Sequence, residues 1–164
     1  MYPNTLAKAF AKMGAVCFLV DLAQVSLEKA LGELGTGHNG VALNVTDAQA
    51  AEGAMHACVE AFGGLDILVS NAGSAVAGAM LEMPIETMRE AFELNFFSHH
   101  AFATEAAKLM KLQGREGQIL FNISKQAVNP GKNFGAYGLP KASTFFLMRQ
   151  LALELGAHGI RVNG

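Results

Sequence analysis

The sequence contains little of what several protein classes require. Among its 164 residues there are two cysteines, four prolines and no tryptophan, and only 16% of the residues are charged. No apolar run approaches the roughly 20 residues of a membrane-spanning helix, and no signal sequence opens the chain, so we expect no membrane partner. The formal net charge of −2 and the lack of a Lys/Arg cluster argue against nucleic acid as a partner.

The few cysteines and histidines restrict redox and metal chemistry. Cys17 and Cys58 fall in a strand-like and a helix-like segment, so we predict two buried free thiols rather than a disulfide, and a cytoplasmic protein. The five histidines lack metal-ligand spacing, and the adjacent His99 and His100 cannot face one site from a single helix. We therefore expect no metal centre.

Apolar runs and helical patterns alternate regularly along the chain. Strands are predicted in the segments VCFLVD, VALNV, LDILVS, GQILFNIS and IRVN, with helical segments between them. VCFLVD is a continuous apolar run, which indicates burial on both faces of a sheet. Strands joined by helices form parallel sheets with right-handed crossovers. We predict an α/β fold, a doubly wound parallel sheet in a single domain over residues 1–164.

Capping and proline signals predict the helix boundaries. Thr46 and Gln49 have the spacing of a capping box and are expected to open a helix. One long helix is predicted over residues 84–111 and a final one over residues 137–155. Pro140 is tolerated in the final helix if it lies in the first turn, where its missing N–H has no intrahelical partner.

One glycine-rich segment, Gly35–Gly40, matches the letters G-x-G-x-x-G of dinucleotide-binding loops. That fingerprint requires a strand before it and a helix after it, so that backbone amides and the helix dipole meet the pyrophosphate. Here a helix precedes the segment and a strand follows it. We therefore interpret the segment as a flexible turn.

Polar and small residues at two strand ends are better candidates for ligand binding. Asp21 ends a strand, where an acid in a dinucleotide-binding fold accepts hydrogen bonds from ribose hydroxyls and disfavours a 2′-phosphate. Asn71-Ala72-Gly73 follows LDILVS, and small residues there let a ligand approach the backbone. Each signal alone fits an ordinary exposed strand end or turn equally well.

Tyr137 and Lys141 stand four residues apart on a predicted helix and share one of its faces. A phenol with a pKa of about 10 is a poor acid–base catalyst near neutrality, but an ammonium beside it in a dry cleft favours the ionised form. Ser124 adds a hydroxyl thirteen residues upstream of the tyrosine. The pattern Y-x-x-x-K is weak evidence by itself, because two residues at helical spacing are also common in ordinary helices.

Taken together and in order, these motifs resemble those of the classical short-chain dehydrogenase/reductase family. The resemblance covers nearly the whole chain and rests on VDL, NVTD, SNAG, ELNF, NIS, YGLPK and IRVN. The loop NISKQAVNPGKNFGAYGLPKA is, more narrowly, similar to the dehydrogenase part of bifunctional rhamnulose-phosphate aldolase/alcohol dehydrogenase proteins. The resemblance implies a Rossmann-like fold, NAD as cofactor and an alcohol or carbonyl compound as substrate.

The family's chemistry, carried over, assigns four catalytic residues. Tyr137 would exchange a proton with the reacting oxygen while the nicotinamide exchanges a hydride with the substrate carbon. Ser124 would hydrogen-bond that oxygen, and Lys141 would support the phenol and bind the nicotinamide ribose. Asn95 would hold a water that links Lys141 to solvent.

The implied NAD-binding residues lie at strand ends and on the final helix: Asp21, Asn44, Val45, Asn71, Ala72, Gly73, Tyr137 and Lys141. Asp21 would bind the adenosine ribose, and Asn44 and Val45 would flank the adenine. The segment from Asn71 to Gly73 would line the floor under the cofactor.

Several residues depart from the family pattern. The family's N-x-S-S or N-x-G-S places its catalytic serine where Lys125 stands, whereas counting back from Tyr137 selects Ser124. We choose Ser124, because a lysine would add charge where a neutral donor is needed. Ser70 replaces the first asparagine of N-N-A-G, and Asn44 replaces an adenine-site aspartate.

The family's opening strand with T-G-x-x-x-G-x-G and its C-terminal strand are not found in residues 1–164. The expectation is therefore an incomplete dinucleotide-binding domain, an internal piece of a dehydrogenase that is inactive by itself.

Two other functions remain open, a non-catalytic oligomerisation or interaction module and a truncated product without function. The helices predicted at residues 84–111 and 137–155 are those that form four-helix interfaces in the family. Both carry long apolar stretches, FELNFFSHHAF and STFFLMRQLALEL. We therefore expect a homodimer or homotetramer formed through these two helices.

Overall fold

The computed structural model describes residues 3–164, with side chains from Thr5 onward. Helices and strands alternate along the chain and separate into two compact units, Met1–Gly64 and Leu65–Gly164. Every strand pairing among the described residues is parallel. The prediction of an α/β fold with parallel sheets is therefore confirmed.

The first unit contains a two-stranded parallel sheet and three helices. Its elements are α1 (Pro3–Lys12), β1 (Phe18–Asp21), α2 (Gln24–Leu34), β2 (Asn39–Ala42) and α3 (Ala50–Phe62). All four residues of β1 are only half-buried, so the expectation that VCFLVD is buried on both faces is wrong in this structure. The sheet of this unit gives β1 one strand neighbour, β2, and a single neighbour covers a strand incompletely.

The predicted capping box at Thr46 and Gln49 is also wrong. Helix α3 begins at Ala50, and Gln49 makes no side-chain capping bond. Thr46 Oγ1 instead donates to Oδ1 of Asn44 at 2.9 Å, and the same oxygen accepts from the Thr46 amide at 3.2 Å. Because Asn44 organises this turn locally, the threonine hydroxyl is used before the helix starts.

Both cysteines are free thiols, as predicted. Cys58 is buried, whereas Cys17 is only half-buried, so the expectation of burial fails for Cys17. It lies just before β1, and partial burial raises the pKa of its thiol.

Gly35–Gly40 forms the turn between α2 and β2, as predicted. Gly35 and Gly37 have φ values of 91° and 90°, a region that side chains disfavour. A Cβ on Gly40 would lie 2.5 Å from the Leu19 carbonyl oxygen and 2.7 Å from Leu27 Cδ1. The last glycine of this segment therefore lets β1, β2 and α2 pack closely, which is a structural task and not ligand binding.

The second unit contains a three-stranded parallel sheet in the order β3–β4–β5. Its elements are β3 (Ile67–Ser70), α4 (Ile85–Phe92), α5 (Ser98–Gln113), β4 (Gly117–Phe121), α6 (Gly135–Leu155) and β5 (Ile160–Asn163). Ile119 and Phe121 of the central strand are buried, and β5 buries Ile160 and Val162 while exposing Arg161 and Asn163. The sheet thus places the core of this unit against α5 and α6.

The helix predicted over residues 84–111 is interrupted. A π-helical turn, Glu93–Phe97, separates α4 from α5, so the expectation of one uninterrupted α-helix is wrong. Inside this turn the Asn95 carbonyl accepts a hydrogen bond from the Thr144 hydroxyl of α6 at 2.8 Å. Widened turns of this kind are found where a neighbouring group binds a helix carbonyl, and they are frequent at functional sites.

Helix α6 begins at Gly135, two residues earlier than predicted. Pro140 is therefore in the second turn and not the first, which corrects the expected position. The helix nevertheless continues through Pro140, which is buried. No helix of the described residues is long and apolar enough to cross a membrane.

Gly40→Ala should destabilise the protein by about 1–3 kcal/mol, because its Cβ meets a backbone oxygen that cannot move without shifting β1. Gly53→Ala is the matched control. Gly53 lies inside α3 with open space where the added methyl group would lie, so this change should stabilise by about 0.5–1 kcal/mol. Urea unfolding followed by circular dichroism measures both, and equal effects of the two changes would contradict the packing role of Gly40.

Candidate functional site

The side chains of Tyr137 and Lys141 meet on one face of α6, as their spacing predicts. The Lys141 Nζ atom lies 5.9 Å from the centre of the Tyr137 ring. Tyr137 is half-buried, whereas Lys141 is only 2% exposed. The pair therefore combines a partly accessible phenol with an ammonium that is almost sealed from water.

Two groups surround the Lys141 ammonium. Nζ donates to the backbone carbonyl of Asn122, just after β4, at 3.1 Å, and it lies 3.4 Å from Nε2 of His99 on α5. The ion pairs of the described residues do not include Lys141. Burial lowers its pKa from 10.5 to about 8, so this side chain can lose and regain a proton close to neutral pH.

Asn95 anchors the loop that follows β3. Its fully buried side chain accepts from the Ser74 amide at 3.2 Å and donates to the Ser74 carbonyl at 3.0 Å. Its Nδ2 also lies 3.1 Å from the Ala91 carbonyl. The side chain of Asn95 therefore positions the loop beside Lys141. Its expected role in holding a water stays a prediction.

Ser124 lies between β4 and a short 3-10 turn, Lys125–Ala127. Its Oγ accepts from the Gln126 amide at 3.2 Å, which leaves the hydroxyl hydrogen free to be donated elsewhere. Ser124 is half-buried and Lys125 is exposed. The choice of Ser124 as the catalytic serine stays a prediction.

The predicted segment from Asn71 to Gly73 leaves β3 and passes beside the same residues. A Cβ on Gly73 would lie 2.7 Å from Oδ1 of Asn95 and 3.5 Å from Nζ of Lys141. Asn122 Nδ2 donates to Oδ1 of Asn71 at 2.9 Å. The structure thus brings this segment, Asn95 and Lys141 together, and Gly73 permits the close approach.

The other predicted cofactor residues lie in the first unit, at the ends of its strands. Asp21 ends β1, and its Oδ1 accepts from the Ala23 amide at 3.0 Å. Asn44 and Val45 follow β2, and Asn44 Nδ2 donates to Oδ1 of Asp47 at 3.1 Å. The side chain of Asn44 is therefore engaged within its own turn. The roles of these three residues in NAD binding stay predictions.

His99, which contacts Lys141, is not among the site residues predicted from the sequence. His99 is 1% exposed, and its Nδ1 lies 2.6 Å from the Ser70 hydroxyl. Burial, and secondarily the charge of Lys141, lower its pKa from 6.5 to about 3, against a weaker opposing hydrogen bond with the Ala72 backbone. The neighbouring His100 is exposed, which confirms that the two histidines face different ways. Two features of the sequence could have pointed to this contact. Ser70 replaces an asparagine of the family pattern, and His99 lies one helical turn after Asn95.

The donor set around Lys141 leaves one N–H for a ligand, such as the ribose of a nicotinamide cofactor. An ammonium has three N–H donors, of which one is used by the Asn122 carbonyl and one is directed to His99. The third is left for a hydroxyl such as that of a ribose. Among residues 3–164 there is no group of three or more histidine, cysteine, aspartate or glutamate side chains that could hold a metal ion.

Parallel strands joined by helices, with a tyrosine–lysine pair beside the small-residue segment that follows β3, define a Rossmann-like protein of the dehydrogenase class. The family model described as "short chain dehydrogenase" matches residues 4–164. The chain therefore belongs to the short-chain dehydrogenase family.

Relatives and solved structures agree with this membership. The chain is 35% identical over 135 residues to an L-rhamnose 1-dehydrogenase (NAD(P)(+)) of Sphingomonas sp. (strain SKA58), covering 82% of this chain and 52% of that protein. It is 33% identical to the uncharacterized oxidoreductase YuxG of Bacillus subtilis (strain 168), covering 98% of this chain and 24% of that protein.

The fold is matched closely by a 3-ketoacyl-(acyl-carrier-protein) reductase from Brucella melitensis complexed with NADH. That structure has a TM-score of 0.94 and 28% identity, over 98% of this chain and 68% of the other. The sorbitol-6-phosphate 2-dehydrogenase SrlD of Erwinia amylovora also gives a TM-score of 0.94, with 26% identity over 99% of this chain and 65% of the other. These matches confirm the Rossmann-like fold, and the chain spans about two thirds of either solved protein.

Acidification should destabilise the protein through His99. In the unfolded chain this ring takes a proton below its ordinary pKa of 6.5, whereas in the folded protein it does so only near 3. The free energy of unfolding should therefore decrease as the pH falls below 6.5, and the decrease should reach about 1.5–2 kcal/mol at pH 5. Most carboxylates are still ionised at that pH, so they contribute little to this change. Urea unfolding at several pH values measures this slope.

His99→Gln should abolish that loss of stability, because the glutamine does not titrate. His100→Gln, at the exposed neighbouring position, should retain it. The same pH dependence in wild type and His99→Gln would show that the buried ring is not its source.

Proposed function

We propose that this chain carries the catalytic part of an NAD-dependent dehydrogenase that interconverts an alcohol and a carbonyl compound. The observation that carries the proposal is the pairing of the Tyr137 phenol with the buried Lys141 ammonium, 5.9 Å from the ring centre. Membership of the short-chain dehydrogenase family supports it. The names of the relatives, which are dehydrogenases and reductases, support the same reaction class.

In this proposal Tyr137 is the acid–base group, because it is the more accessible partner of the pair. Its hydroxyl would protonate the carbonyl oxygen during reduction and deprotonate the alcohol during oxidation. Ser124 would donate its remaining hydroxyl hydrogen to the same oxygen and hold it in place. A nicotinamide bound at the site would supply or accept the hydride at the substrate carbon.

Lys141 would serve the phenol and the cofactor together. Its charge would stabilise the negative charge that develops at the reacting oxygen during proton transfer, and its third N–H would bind a ribose hydroxyl. Asn95 would keep the loop after β3 in place under the cofactor through its two bonds to Ser74. In addition, Asn95 would hold the water that connects Lys141 to solvent.

NAD is proposed over NADP because of Asp21 at the end of β1. One of its carboxylate oxygens accepts from the Ala23 amide, and the other would accept from ribose hydroxyls. A carboxylate at that position repels a 2′-phosphate. Asn44 and Val45 would flank the adenine, in line with their place directly after β2.

We expect residues 1–164 alone to bind NADH weakly, because they contain no glycine-rich turn between a strand and a helix to bind the pyrophosphate. The test therefore uses residues 1–164 joined to the glycine-rich strand–turn and the C-terminal segment of a family member. Reduction of a panel of small carbonyl compounds with NADH is followed by the loss of NADH absorbance.

In that chimera, Tyr137→Phe should lower kcat at least about 100-fold while NADH binding changes little, because only the proton-transferring hydroxyl is removed. Lys141→Met should lower kcat and also weaken NADH binding. Lys132→Met, an exposed lysine in the preceding loop, is the control and should leave both unchanged. Activity that survives Tyr137→Phe would exclude the proposed acid–base role.

A second candidate function, self-association, is favoured by an exposed apolar stripe on α6. Leu139, Phe146 and Leu153 are 48%, 66% and 81% exposed and recur every seven residues, which places them on one helix face. Phe97 in the π-helical turn is also 49% exposed. We propose that α6 and the helices at residues 84–111 bind a second copy of this chain in a homodimer or homotetramer.

Light scattering coupled to size exclusion should give a dimer or tetramer mass. Phe146→Glu should weaken association at least about tenfold, because a charge would be buried in the interface. Leu81→Glu is the control, since Leu81 is fully exposed and lies outside these helices. If the wild-type chain stays monomeric at high concentration, the proposed interface is contradicted.

A further inference from the structure

The contacts of Lys141 lead to a pair of residues outside the proposed catalytic set. His99 on α5 directs Nε2 toward the ammonium, 3.4 Å from Nζ, and directs Nδ1 toward Ser70 at the end of β3, 2.6 Å from its hydroxyl. All three side chains are buried, with exposed fractions of 2%, 1% and 9% for Lys141, His99 and Ser70. Lys141, His99 and Ser70 therefore form a continuous chain of polar contacts in the interior of the second unit.

We infer that His99 is a positioning residue that holds the Lys141 ammonium through its Nε2 lone pair, with Ser70 fixing the ring as the Nδ1–H tautomer. An ammonium can only donate hydrogen bonds, so the ring nitrogen facing it must be an acceptor. A neutral imidazole has one acceptor nitrogen, and its proton must then be on Nδ1. The Ser70 oxygen lies where that N–H requires an acceptor.

The competing states of the ring are less favourable beside a charged Lys141. An imidazolium would place a second positive charge 3.4 Å from the ammonium in a buried site. An Nε2–H ring would direct a donor at a donor. Burial and the lysine charge both hold the ring neutral, and they outweigh the hydrogen bond with the Ala72 backbone that favours protonation.

The groups that the structure places near the Lys141 ammonium come from four segments of the second unit. They are His99 from α5, the Asn122 carbonyl after β4, Gly73 after β3 and Tyr137 on its own helix. None of them is a carboxylate, so the ammonium is held by neutral acceptors. The His99 lone pair is therefore one of two fixed acceptors that determine where the ammonium points.

This inference rests on the proposed role of Lys141, but its test requires no cofactor or substrate. The dehydrogenase proposal can therefore fail in the activity assay while the His99 assignment stands, and the reverse also holds. Both measurements use residues 1–164 in solution.

The first measurement reads the His99 tautomer directly in the unmodified chain. Long-range proton–nitrogen correlation spectra of the ¹⁵N-histidine-labelled protein are recorded at about pH 6, between the pKa values of His99 and Lys141. The His99 signals, identified by their loss in His99→Gln, should show a protonated Nδ1 and an unprotonated Nε2. An imidazolium or an Nε2–H ring would overturn the inference.

The second measurement titrates Lys141 through its ¹³Cε signal. In His99→Leu the pKa measured for Lys141 should be about 0.5–1 pH unit lower than in wild type, because the ammonium loses a hydrogen-bond acceptor. In His99→Gln the glutamine amide oxygen can take the place of the ring acceptor, so the Lys141 pKa should return to within about 0.3 pH unit of the wild-type value. His100→Leu controls for changes on the same helix and should titrate as wild type. A wild-type midpoint in His99→Leu, or no rescue by glutamine, would contradict the positioning role.

Discussion

A positive charge inside the second unit is the constraint on which the site depends. Lys141 is 2% exposed and has no carboxylate partner among the described residues. A buried charge is costly unless polar groups replace its hydration. Here the Asn122 carbonyl and His99 replace it, so the end of β4, α5 and α6 must keep their relative positions. The lowered pKa of Lys141 shows that the replacement is incomplete.

An incompletely compensated ammonium suits the proton transfer that we propose for this site. A carboxylate partner would neutralise the ammonium charge, whereas the neutral acceptors around Lys141 leave it in place. The same arrangement requires close backbone approach, which Gly73 and the buried Asn95 provide. The packing of this region and the catalysis we propose therefore depend on the same few residues.

The order of elements and the pairing of Tyr137 with Lys141 were predictable from the sequence, because both follow from local periodicity. Helix α6 needs only the four-residue spacing to bring the two side chains together. The His99–Ser70 contact was not predictable in this way, since the two residues are 29 positions apart on different elements. Local patterns carry no information on which helix face meets which strand end. The interruption of the long helix has the same origin, since Thr144 from α6 binds the Asn95 carbonyl inside it. The capping box failed for a local reason, because Asn44 binds the Thr46 hydroxyl.

The π-helical turn makes the spacing between α4 and α5 a fixed quantity. One residue more or fewer in Glu93–Phe97 would rotate everything after it by about 100° around the helix axis. Such a rotation would carry His99 off the interior and swing another side chain of α5 toward the sheet. Substitutions on the outer surface of this segment are thus compatible with the site, whereas insertions and deletions of a single residue are not.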